Sequence, residues 1–134
     1  MMPDYCLSPL AQQFEATDID PKSFGHLQHV QVAFELLTKY GFVDAASRYA
    51  NSIRTISIDA GAPEKFNTTI TYAFLSLIAE RLATAPAGDC DTFVARNPDL
   101  LSKSVLKRWY SDERLQSDLA RQVFLLPGND NAAA

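Results

Sequence analysis

Between residues 26 and 83 apolar side chains recur at helical spacing in three successive stretches, broken at Gly41 and again at Gly61 and Pro63. At about 100° per residue, the first stretch (26–40) gathers Leu27, Val30, Ala33, Phe34, Leu37 and Tyr40 on one arc. Gln28, Gln31, Glu35, Thr38 and Lys39 point away. The second stretch (43–60) turns Ala46, Tyr49, Ala50, Ile53, Ile56 and Ala60 inward and leaves Asp44, Arg48, Asn51, Ser52 and Thr55 outside. Its small residues let a neighbouring helix approach closely, and Gly41 suits the left-handed end of the first helix, so the two are expected to form an antiparallel hairpin across a two-residue turn. The third helix (63–83) opens on Pro63 at a favoured first position and carries Glu64 in its first turn, where the helix dipole favours a carboxylate. It is apolar on two sides. Phe66, Ile70, Phe74, Leu77, Ile78 and Leu82 form one face and Tyr72, Leu75 and Ala79 the other, which places it centrally or at a subunit contact. No stretch alternates with the period of a strand. The chain therefore reads as an all-α, single-domain helical bundle with three longer helices plus short C-terminal helices.

The flanks carry weaker signals. Residues 1–21, with Pro3, Pro9 and Pro21, read as an irregular arm holding at most one helical turn around 10–15. The helical domain spans 22–126. In its last part Asp89 caps a short helix bearing Phe93 and Val94 that Asn97 and Pro98 end, and Ser111 and Ser117 cap two more. Residues 127–134 are expected to fray.

A chain of 134 residues is the size of one domain. Its 47% apolar and 21% charged residues are those of a soluble globular protein, and no apolar run approaches a membrane span. The first twenty residues show no signal peptide, so a cytoplasmic protein is expected, with Cys6 and Cys90 as free thiols. Twelve Lys and Arg face sixteen Asp and Glu, and the only basic grouping is Lys103, Lys107 and Arg108. Nucleic-acid binding demands a concentrated positive face, so neither nucleic acid nor membrane is an expected partner. A homodimer is one way to cover Tyr72, Leu75 and Ala79; the arm, through Tyr5, Leu7 and Leu10, is the other.

The only two histidines, His26 and His29, stand three residues apart inside the first apolar arc, and Asn67 and Thr71 repeat the anomaly on the third helix. Polar groups facing a core need partners or a cavity. Three readings follow: neutral imidazoles bonded to neighbours, a ligand or catalytic pocket, or a metal site. The last lacks a carboxylate on a suitable face, and Glu-x-x-His pairs, HExxH, GxSxG, CxxC and Gly-rich phosphate loops are all absent. No metal and no cofactor are therefore expected. Thr71 has the bland alternative of bonding back to the Asn67 carbonyl, and Thr68 and Thr69 read as solvated. Near the C-terminus, Tyr110, Ser117 and Arg121 make a further polar group in which Arg121 would clamp an anion or, more blandly, tie down helix ends.

These residues also carry a resemblance. Phe24, Gly25, His26, Leu27, Gln28 and His29 with Ala33, then 61–71, then Tyr110, Ser111, Leu115, Ser117, Ala120 and Arg121 make the chain resemble a family of small bacterial proteins of unknown function. The similarity spans most of 24–124. In sequences of this look the place of Asn67 is usually a third histidine, in a Tyr-His-x-Thr setting, where this chain has Phe66 and Asn67. The resemblance implies no activity. The change to Asn weakens a metal or acid–base site more than a binding pocket. The expected function is thus a pocket of His26, His29, Asn67 and Thr71, with Tyr110, Ser117 and Arg121 as further candidates, that binds or acts on a small molecule. The alternative is a helical interaction or structural module with satisfied histidines and no catalysis; whether any reaction is catalysed stays open.

Overall fold

The computed structural model describes residues 1–102 and 104–128, and among them every regular element is helical. Helix α1 is Pro9–Glu15, α2 His26–Tyr40, α3 Phe42–Asp59, α4 Thr68–Thr84, α5 Cys90–Arg96, α6 Asp112–Leu115 and α7 Asp118–Gln122. Short 3-10 turns at Pro21–Ser23, Pro63–Lys65, Pro98–Leu101 and Val105–Arg108 connect them.

Gly41 alone, and not the two residues expected, joins α2 to α3, because its φ of 78°, where a side chain would be strained, turns the chain in one residue. The two helices pack along each other, and α4 lies against both. Phe34, Leu36, Val30, Val32, Leu75, Ile78 and Phe93 are wholly buried between these elements. A second, smaller cluster of Val105, Leu106, Tyr110 and Leu115 closes over Ile70, Ala73, Phe74 and Leu77 of α4. Helix α4 is therefore central, as its two apolar faces implied. Leu75 is buried in the main core, Tyr72 and Ala79 pack half-buried against it, and Tyr72 meets Phe124 at 6.3 Å between ring centroids.

The first 21 residues are more ordered than their prolines imply. Ser8 caps α1, whose Ala11 and Phe14 are completely buried, and α1 packs on α2 and α3. The anchor is Glu35. Placed outward by periodicity, it is instead 3% exposed, and its carboxylate accepts from the Ser8 N–H (2.7 Å), the Ser8 hydroxyl (2.6 Å) and Gln31 Nε2 (3.3 Å). Three donors compensate the burial of a charge. Ser52, also expected outside, is buried, whereas Ala60 is exposed.

The third long helix begins later than Pro63. The chain makes a 3-10 turn there, runs extended through Phe66 and Asn67, and enters α4 at Thr68. Asn67 is the N-cap: its Oδ1 accepts from the Ile70 N–H at 2.9 Å. Thr68 and Thr69 are not solvated as expected. The Thr69 hydroxyl, with no exposure, donates to the Val123 carbonyl (2.7 Å) and accepts from the Leu125 N–H (2.9 Å), and Thr68 donates to the Arg121 carbonyl (2.8 Å). Hydroxyls thus supply the backbone of 121–125 with partners that no strand provides. Asp99 fastens the turn at Pro98–Leu101 by ion pairs: Arg81 grips it with two bonds of 2.6 and 2.8 Å and Arg108 adds a contact of 3.3 Å, which hold its carboxyl below the usual range. Of the tail expected at 127–134, residues 129–134 lie outside the described residues.

Candidate functional site

A cavity of about 230 Å³ opens where the two apolar clusters meet. His26 and His29 enter it from the first turn of α2, Tyr49 and Ile53 from α3, and Ile70, Thr71 and Phe74 from α4. Lys65 and Phe66, from the turn before α4, and Ser102, Val105 and Leu106 complete the wall together with Asn67. Most of that surface is hydrocarbon and aromatic ring. The one-turn spacings His26/His29, Tyr49/Ile53 and Ile70/Phe74 aim each pair from one helix face to one place.

His29 is the most constrained of the polar groups. Its ring meets the edge of Phe24 at 4.4 Å between centroids, and Nδ1 lies 2.6 Å from the hydroxyl of Tyr49. Burial pushes the Tyr49 phenol above its ordinary pKa, so it keeps its proton, and no other acceptor serves it among the described residues. The Tyr49 O–H therefore donates and Nδ1 accepts. Burial first, and the neighbouring His26 second, lower the His29 pKa from 6.5 to about 4, so the ring is neutral at physiological pH. A neutral ring that accepts at Nδ1 carries its hydrogen on Nε2. Among the described residues no buried side-chain polar atom lacks a partner, so Nε2–H, which has no protein partner, faces accessible space. His29, a lining residue of the cavity, thus carries an Nε2–H that no group among the described residues engages.

The other expected residues divide cleanly. Thr71 lines the cavity, and its hydroxyl makes no hydrogen bond to the described residues, so the bland alternative of a bond back to the Asn67 carbonyl is not the one found; that carbonyl takes the Thr71 backbone N–H at 3.0 Å. Asn67 also reaches the wall, but both ends of its amide are occupied, Oδ1 by the helix cap and Nδ2 by the Leu115 carbonyl at 2.7 Å. Its contribution is to join α4 to α6. Tyr110, Ser117 and Arg121 do not reach the cavity. The Tyr110 hydroxyl donates to the Leu125 carbonyl (2.7 Å), Ser117 caps α7 and bonds the Arg114 carbonyl, and Arg121 binds the Gln116 carbonyl and the Asp118 carboxylate. Each holds the C-terminal segment in place, the blander of the two readings. Tyr49, by contrast, is a site residue that its place in an apolar stripe concealed.

His26 and His29 have ring centroids 6.3 Å apart, and among the described residues no third His, Cys, Asp or Glu joins them as a metal-binding group would need. Cys90 packs against the main core, where burial, then Asp91, Glu35 and Asp89, push its thiol up to about 11. Such a thiol is not a nucleophile at neutral pH. Among the described residues no helix is long and apolar enough to cross a membrane. Comparison with protein-family profiles, curated proteins and solved structures gives no match, so the resemblance carried by the histidine and Ser–Arg patterns adds nothing to the reading of the site.

Proposed function

We propose that this chain binds a small molecule in the cavity between α2, α3, α4 and the residues Ser102, Val105 and Leu106. The observation that carries the reading is the 2.6 Å contact between His29 Nδ1 and the Tyr49 hydroxyl, which leaves Nε2 without a partner among the described residues, on a residue that lines a mostly apolar cavity. Such sites pair apolar bulk with a few placed polar groups that fix orientation. An apolar cavity of about 150 Å³ accommodates benzene, so 230 Å³ suits a ring or branched chain bearing one polar substituent. The Nε2–H is a donor and not a base, which favours binding over proton abstraction at His29. The bond from Tyr49 equally suits the second reading, a structural imidazole in an interaction module, and filling the cavity separates the two. A ligand-observed NMR screen of small aromatic and branched compounds should give binders to the wild type that Val105→Phe and Ile53→Phe abolish while thermal stability holds. Binding that survives both substitutions, or a screen without binders, would overturn the proposal.

A further inference from the structure

The charge of the cavity wall narrows the ligand, and the narrowing rests on the binding reading above. None of the described lining residues is acidic. Glu64, next in sequence to Lys65, belongs to a separate groove with Arg54, Ile58 and Arg121. Lys65 is exposed, so it stands at the mouth, and its ammonium forms no ion pair with the described residues. Further in, the half-buried His29 offers a donor and Thr71 a free hydroxyl. His26 is the first residue of α2, at the helix end where the dipole favours negative charge. A cationic ligand would meet an ammonium and a wall with no carboxylate. A neutral one would leave the ammonium unused.

We propose that the cavity takes a small monocarboxylic acid with a compact aromatic or branched aliphatic body, its carboxylate at the mouth beside Lys65 and its body against Ile53, Phe66, Ile70, Phe74 and Leu106. A carboxylate at the mouth keeps part of its hydration while the body is desolvated, which avoids the large cost of burying an unpaired charge beside a neutral imidazole. The His29 N–H and Thr71 hydroxyl then select acids that carry an oxygen acceptor on the body. Phenolic, keto or hydroxy acids meet that condition.

Four probes test this: benzoate, benzyl alcohol and benzylamine, which share a ring and differ in head group, and isovalerate as the aliphatic acid. Titrations are followed by amide shifts in wild type and Lys65→Gln, a surface change that leaves the fold intact. Benzoate should bind about fivefold more tightly than benzyl alcohol, with benzylamine weakest, the shifts centring on 26–29, 65–74 and 104–106. Lys65→Gln, or 0.5 M salt acting by screening, should bring benzoate to within about twofold of the alcohol and leave the alcohol unchanged. Alcohol or amine binding as tightly as benzoate, or a benzoate preference that survives Lys65→Gln, would overturn the acid proposal and leave the pocket standing. No binding by any of the four at millimolar concentration would overturn the pocket with it.

Discussion

Removing the imidazole of His29 should flatten the pH dependence of folding stability between pH 6.5 and about 4. In the unfolded chain His29 takes up a proton near 6.5, whereas in the folded protein burial and His26 defer that to about 4. Above 6.5 both states are neutral and the group adds no pH dependence. As pH falls through the window, only the unfolded state gains a proton, so stability is lost, and below about 4 the loss is complete. The gap between the two values corresponds to a full loss of about 3 kcal/mol, of which about 2 kcal/mol is reached by pH 5. For a domain whose total stability is about 5–15 kcal/mol, that is readily measured. Urea unfolding at intervals from pH 8 to 4.5 should show wild type losing about 2 kcal/mol more than His29→Gln by pH 5. Carboxylates titrate in both proteins and cancel in the difference. His26→Gln retains the His29 ring and should retain most of the slope. Parallel profiles for wild type and His29→Gln would refute the buried neutral imidazole, and with it Nδ1 as the acceptor of the Tyr49 hydrogen.

Tyr49→Phe removes the donor to Nδ1 and should cost about 1–2 kcal/mol while letting the His29 tautomer equilibrate, visible as a change in the ring nitrogen shifts by NMR. Asn67→Asp keeps the α4 cap but loses the donor to the Leu115 carbonyl, whereas Asn67→Ala loses both; thermal unfolding should rank them wild type, Asp, Ala, with steps of about 1 kcal/mol. Thr69→Val leaves the Val123 carbonyl and Leu125 N–H without their partner and should cost about 1–3 kcal/mol, with hydrogen exchange of the Leu125 amide accelerating more than that of core amides. Glu35→Ala strips Ser8 of its carboxylate and should expose 1–16 to limited proteolysis while α2 and α3 stay protected.

Helical periodicity exposed the bundle because burial acts on whole faces: the α2–α3 hairpin, the two-sided α4 (though it begins at Thr68 and not at Pro63) and the serine caps at 111 and 117 are all found. It missed residues whose burial depends on a single distant partner. Glu35 sits on the polar side of its own helix, and only the fold of the arm brings Ser8, 27 positions away, to its carboxylate. Thr69 reads as solvated, yet its hydroxyl satisfies backbone groups more than fifty residues later. A periodicity argument has no access to such pairs, since it registers where a side chain points and not what arrives there.

The same distinction decides how much of the site was legible. His26, His29 and Thr71 stood out as polar groups on apolar arcs, and all three line one cavity. Asn67 stood out for the same reason but lies one residue outside the helix, where its amide has the common task of a cap. Tyr49 was hidden in the opposite way, as an aromatic ring in an apolar stripe whose hydroxyl, once paired, determines which hydrogen His29 presents. An anomalous polar residue in a stripe therefore marks a site only if its second polar atom stays free after the local backbone is satisfied. His29 meets that condition through Nε2 and Thr71 through its hydroxyl, whereas Asn67, with Oδ1 and Nδ2 both engaged by the backbone, does not.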